Sequence, residues 1–172
     1  MFIFGFSLKY TIHRNIKLAF KLITMSYVTI WIHCVWSTKN RKPLLVEELR
    51  QKLFLHILDN GRKKGIWIDT INDHQEHVHA LISLDKNMTI ANSMQLIKGE
   101  SANWLNKTGY LNEKMNWQDD YFAVSLGQSQ VERVRNYIIN QEEHHRKKSF
   151  TEEVDEFMNK YGWNKFKDVV SG

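Results

Sequence analysis

At 172 residues, with 42% hydrophobic and 25% charged side chains, the chain is sized for one compact domain with a real core, which excludes a disordered or fibrous protein. Its single cysteine, Cys34, excludes an internal disulfide and suits a reducing, cytoplasmic setting. The formal charge of +5 leans toward an anionic partner, but Lys9, Arg14, Lys17 and Lys21 carry most of the excess: 24 bases less these 4 leave 20 against 19 acids.

Residues 1–24 break their apolar runs with a base every few positions, too short for a membrane span and without a small-residue cleavage site. An interfacial basic helix is one reading of them. The preferred expectation is a non-native or mis-annotated leader before Met25, so that residues 25–172 form a single domain.

From Tyr27 to Trp36, YVTIWIHCVW alternates as a strand, with Val28, Ile30, Ile32 and Cys34 on one face and Tyr27, Thr29, Trp31, His33 and Val35 on the other. STKNRKP is a basic loop. Over residues 44–60, Val46, Leu49, Leu53 and Ile57 recur at helical spacing, with a stop expected before Gly61. After the basic turn RKKG, IWIDTIND and HVHALISL read as a hairpin across HQE. Thr89 caps a second helix with Ile90, Met94, Ile97 and Leu105 inward, ending by Gly109. WQDDYFAVSL is a fourth strand. Ser129 and Glu132 form a capping box that starts a helix running to about Arg146, and Ser149 with Glu152 repeats the signal for a short last helix using Val154, Phe157, Met158 and Tyr161. The order β-α-β-β-α-β predicts an α+β, ferredoxin-like antiparallel sheet of four strands, with helices on one face and the site at the sheet and the helix after the last strand.

Five of the eight histidines fall in two groups, His74, His77 and His79, and His144 and His145. Side chains two apart on a strand share a face, so His77 and His79 could hold a divalent metal through neutral imidazoles, or could be polar residues on a solvated face. In YIINQ, Tyr137 and Gln141 are i and i+4 on the expected helix. A tyrosine hydroxyl is a capable nucleophile only where something assists its proton loss, and a carboxamide oxygen is a hard neutral ligand. The bland alternative for Tyr137 is a half-buried packing residue. A structural zinc site built from His74, His77, His79, His144 and His145 is a further alternative, weakened because such sites take thiolates and Cys34 is the only one.

An H-x-H strand followed about sixty positions later by Y-x-x-x-Q on a helix resembles the HUH endonucleases. More narrowly, SYVTIWIHCVWSTKNRKPLL, LIKGESANWLN and VRNYIINQEEHHRKKSFTEEVDEFMNKYG resemble the single-tyrosine transposases of small bacterial insertion sequences and their repeat-associated relatives, over Met25 to Trp163. The resemblance implies single-stranded DNA as partner, folded into a hairpin near the element end, and a Mg²⁺ or Mn²⁺ cofactor on His77, His79 and Gln141. It also implies Tyr137 as nucleophile, a 5′-phosphotyrosine with a free 3′-OH, strand exchange without a nucleotide cofactor, and a homodimer that needs no membrane. A non-cleaving relative that binds hairpin DNA or RNA, and a small metal-binding protein, stay open as alternatives.

Lys39, Arg41, Lys42, Arg62, Lys63 and Lys64 lie in the expected loops and Arg146, Lys147 and Lys148 at the end of the tyrosine helix, where they could grip phosphates or simply be solvated. Trp31, Trp36, Trp67, Trp104 and Trp117 could stack on unpaired bases or serve the core or a subunit interface.

Overall fold

The computed structural model describes residues 27–141 and, beyond them, only the helical positions Glu152, Asp155, Glu156 and Asn159. The leader, His144, His145, Arg146, Lys147, Lys148 and the apolar stripe after Ser149 lie outside the described residues.

Strand β1 (Trp31–Ser37) is followed by a 3-10 turn at Lys39–Arg41, helix α1 (Glu47–Lys63), hairpin strands β2 (Trp67–His74) and β3 (His77–Ser83), helix α2 (Ile90–Thr108), strand β4 (Phe122–Leu126) and helix α3 (Gln128–Ile139). The sheet order is β2-β3-β1-β4 and every pairing is antiparallel, the expected split β-α-β arrangement. Among the described residues no helix is long and apolar enough to cross a membrane.

The sheet has two occupied faces. Ile32, Cys34, Trp36, Val78, Ala80 and Ile82 point to one, where Leu49, Leu53 and Ile57 of α1 and Met94, Ile97 and Leu105 of α2 complete the main core. Trp31, Leu81 and Leu126 point to the other and meet Val131, Val134, Tyr137 and Ile138 of α3. The strand alternation places His33, His77 and His79 on that second face, because His33 lies opposite Leu81 and His79 opposite Val35.

Several boundaries differ from expectation for local reasons. β1 begins at Trp31 because its neighbours run out there: Trp31 pairs with Ser83 and Leu126, the last residues of β3 and β4, and Tyr27, Val28 and Ile30 are exposed. Helix α1 passes through Gly61 to end at Lys63, and Gly65 closes its cap. A Cβ on Gly61 would sit 3.2 Å from the Ile66 carbonyl and 3.2 Å from Ile68 Cδ1, so glycine here permits close packing rather than a turn. Gly65 adopts φ +75, with the Ile66 N–H donating to Gly61 O at 2.8 Å and the Gly65 N–H to Arg62 O at 3.2 Å, the paired bonds of a Schellman cap. Val46, expected in the apolar stripe, is the exposed N-cap.

Thr89 caps α2 as expected, its hydroxyl accepting from Asn92 N at 3.1 Å, and Gly109 ends it with φ +68. β4 is shorter than WQDDYFAVSL because Lys98 Nζ draws the carbonyls of Asp119 and Asp120 away from a ladder, leaving Trp117 in an isolated bridge with Thr38. Helix α3 starts at Gly127 rather than Ser129: Gln130 Oε1 accepts the Gly127 N–H at 3.0 Å, so the side chain three residues on closes the cap two positions earlier.

Candidate active site

His77 and His79 are both fully buried on the α3 side of β3, with ring centroids 5.0 Å apart. Leu81, the next residue on that face, is covered by Val131 and Ile138, which explains how a polar pair sits under a helix: apolar packing at one end roofs the imidazoles at the other. Tyr137, one helical position from Ile138, lies edge-on to His79 at 5.8 Å and to His33 at 6.0 Å between ring centroids. Tyr137 therefore meets His79 within one chain.

His33 was not among the site residues expected from sequence, yet it is buried in the same cluster, its Nε2 3.1 Å from His79 Nδ1. The strand pattern put it on the correct face; only the pairing of β1 with β3, which no local motif encodes, brings it beside His79. His74 is partly buried next to His77, at 6.3 Å between centroids, with Nδ1 3.5 Å from Glu76 Oε2.

The helix carrying Tyr137 does not run unbroken toward Arg146. It ends at Ile139, and Asn140 takes φ −96 and ψ 22 before Gln141 is helical again. Asn140 favours the break: its own Nδ2 donates back to Asn136 O at 2.7 Å. Asn72 of β2, opposite His79, donates through Nδ2 to Ile138 O and Ile139 O at 2.9 Å each, pulling the helix end onto the sheet. Gln141, just past the break, is fully buried, and both its amide atoms lack a hydrogen-bond partner among the described residues.

A second clamp holds the same helix nearer its middle. Between Ile68 and Thr70 the β2 ladder shifts register, and this bulge turns Asp69 toward α3. Its carboxylate accepts from Arg135 Nε at 2.8 Å and from Arg135 Nη2 at 3.1 Å, and Arg135 also pairs with Glu132. The hydrogen bond from Arg135 holds the Asp69 carboxyl below the usual carboxylate range, against the upward push of burial. Trp31 Nε1 donates to Gln128 Oε1 at 3.0 Å, fixing the first turn.

The donor set suits a hard or borderline divalent cation better than zinc in a closed structural site. Two imidazoles on one face and a buried carboxamide whose amide atoms have no hydrogen-bond partner among the described residues supply nitrogen and oxygen donors and no thiolate. Among the described residues no three His, Cys, Asp or Glu side chains converge as a metal-binding group. Cys34 faces the opposite side of the sheet, where burial pushes its thiol up to about 12.

The basic residues separate into two groups. Lys39, Arg41 and Lys42 follow β1 at the end where Ser37 pairs with His77. Arg62, Lys63 and Lys64 sit before Trp67, at the other end of β2, a strand about 23 Å long at the usual rise. Lys39 pairs with Asp119 at 2.9 Å, Lys42 with Glu113, and Lys63 with Asp59 at 2.5 Å, exposed contacts that a phosphate can displace at little cost. Asn40 and Arg41 both have positive φ, 58° and 54°, and line a cavity of about 410 Å³ with Val35, Ser37, Tyr121 and Phe122. Of the tryptophans, Trp36 and Trp117 are core, Trp104 stacks on His56, and Trp67 is 58% exposed.

The family model described as "Transposase IS200 like" matches residues 26–141. The chain is 26% identical, over 115 residues covering 63% of it and 81% of the relative, to the ISDra2 transposase TnpA of Deinococcus radiodurans. Its fold is similar to that of a Deinococcus radiodurans protein of known crystal structure, at TM-score 0.56 and 23% identity, covering 68% of this chain and 95% of that one. It is also similar to a REP-associated tyrosine transposase bound to a REP hairpin, at TM-score 0.54 and 17% identity, covering 70% and 72%. The chain belongs to the IS200-like transposase family.

Proposed function

We propose that this transposase cuts and rejoins single-stranded DNA by covalent catalysis, with Tyr137 as the nucleophile. The observation that carries the reading is the 5.8 Å approach of the Tyr137 ring to His79, within one chain and on the sheet face that α3 roofs. The tyrosine oxygen forms a bond to phosphorus as the P–O3′ bond breaks. The phenolic proton is lost to solvent or base, and the departing 3′ oxygen takes up a proton, giving a 5′-phosphotyrosine and a free 3′-OH. That hydroxyl can attack a second such linkage and regenerate the phenol, so exchange needs no nucleotide cofactor.

His77, His79 and Gln141 would hold a divalent ion, Mg²⁺ or Mn²⁺. Bound there, the ion would neutralise charge on the scissile phosphate and make phosphorus more electrophilic. The buried amide of Gln141, which has no hydrogen-bond partner among the described residues, supports its place in that set. Asn72 and the Asp69–Arg135 pair hold the tyrosine helix against the imidazoles.

The substrate in this reading is a single strand folded into a hairpin near an element end. A hairpin-bound structural neighbour and the basic turn Lys39–Lys42 beside His77 support that choice. Arg62, Lys63 and Lys64 reach a more distant stretch of the strand, and Arg146, Lys147 and Lys148 follow the tyrosine helix in sequence. The working unit is a homodimer in the cytoplasm, each chain carrying the tyrosine beside its own histidines. The test is incubation with hairpin-bearing single strands and Mn²⁺, followed by a denaturing gel. An adduct that vanishes with EDTA and in Tyr137→Phe supports the proposal, whereas tight binding without an adduct indicates a non-cutting relative.

A further inference from the structure

We propose that His33 is a positioning residue that commits His79 to a single tautomer, a role that rests on the metal-binding reading above. His33 is 3% exposed and sits on the central strand β1, bonded on both sides, so its ring is carried by the most rigid part of the sheet. It lies diagonally across from His79 on the same face, with Nε2 3.1 Å from His79 Nδ1 and ring centroids 5.3 Å apart.

Between two neutral imidazoles a hydrogen bond has two polarities, and only one is compatible with a metal ligand at this place. If His33 Nε2 donates, His79 Nδ1 is spent as an acceptor and the proton of neutral His79 sits on Nε2, leaving no lone pair for a cation. If His33 Nε2 accepts, the proton is on His79 Nδ1 and the lone pair is on Nε2. That polarity sets Nε2 of the buried His79 as the ligand atom. A ligand histidine held through its other nitrogen is the usual way an outer partner fixes ring orientation, and losing such a partner weakens metal binding 10- to 100-fold. Tyr137 contacts both rings edge-on, so the same pair also forms the wall against which the phenol is aimed.

The full chain labelled with ¹⁵N-histidine, without DNA, is the material for the test. Imidazole ¹⁵N shifts report which nitrogen of His79 carries the proton, and Mn²⁺ titration followed by electron paramagnetic resonance reports affinity. Wild type should show His79 protonated at Nδ1. His33→Leu, which has no acceptor, should bind Mn²⁺ about 10- to 100-fold more weakly. His33→Gln, whose amide oxygen can replace Nε2, should recover to within a few-fold. If His33→Leu does not fold, the wild-type shifts and His33→Gln decide. A proton on Nε2 of wild-type His79, or His33→Leu binding like wild type while His77→Ala is impaired, overturns the positioning role alone. Equal Mn²⁺ traces for wild type and His77→Ala overturn the metal reading and this role with it.

Discussion

Removing the Asn72 amide should loosen the end of the tyrosine helix without unfolding the sheet. Asn72 Nδ2 reaches the carbonyls of Ile138, which is fully buried, and Ile139, which is 54% exposed. Asn72→Ala leaves the first carbonyl unsatisfied away from water, a loss of about 1.5 kcal/mol, whereas the second can turn to solvent and costs about 0.5 kcal/mol. The sum of about 2 kcal/mol corresponds to a change of about 30-fold in the equilibrium for local opening of the helix end. Hydrogen exchange reads this directly: amides of residues 137–140 should exchange about 30-fold faster, while those of β1 and β3 keep their wild-type rates. Asn72→Asp should be worse than alanine, since it turns a carboxylate oxygen toward two carbonyls. Wild-type exchange at 137–140 would refute the clamp, and a uniform rise across the sheet would show that Asn72 supports the whole fold instead.

The Asp69–Arg135 pair makes docking of α3 pH-dependent in a defined direction. Because the Asp69 carboxyl is held below its ordinary value near 3.9, docking is favoured above that value and lost as pH falls through the depressed one. Exchange of α3 amides should therefore rise in acid, and Asp69→Asn should flatten the profile. Leu81→Ala, which empties a fully buried site under Val131 and Ile138, should cost about 2–5 kcal/mol in denaturant unfolding. Gly65→Ala should cost about 1 kcal/mol by backbone strain alone, since φ is +75 and no atom lies within 4 Å of the added carbon. Neutralising Lys39 and Lys42 should lower the salt dependence of hairpin binding by about one unit of slope per lost phosphate contact, measured by fluorescence anisotropy.

Much of this site was legible from sequence because its signals are periodic. The two-residue spacing of His77 and His79 fixes a shared face regardless of context, and the alternation through β1 put His33 on the same face as Trp31 and Val35. What strand periodicity does not encode is register, and register alone makes His33 a neighbour of His79 and Asn72 a neighbour of the helix end. Helix ends differ from the sequence expectation where two signals compete. Gly61 looks like a stop but is needed for contact with Ile66 and Ile68, and Ser129 looks like a cap but is overruled by Gln130 closing on Gly127. The i, i+4 relation of Tyr137 and Gln141 assumed a continuous helix; Asn140 interrupts it, and tertiary bonds from Asn72 decide where Gln141 is carried. The pairing of Lys39 and Lys42 with distant acids was likewise beyond a local reading, because Asp119 and Glu113 follow them by about 70 to 80 positions.

The central claim is that Tyr137 itself becomes linked to DNA. Mass spectrometry of the protease-digested adduct, formed with Mn²⁺ on a hairpin-bearing strand, tests it most directly. The account predicts a nucleotide mass on the peptide containing Tyr137, attached through a 5′ phosphate, and none in Tyr137→Phe. A modified residue elsewhere, or an undiminished adduct in Tyr137→Phe, would contradict it.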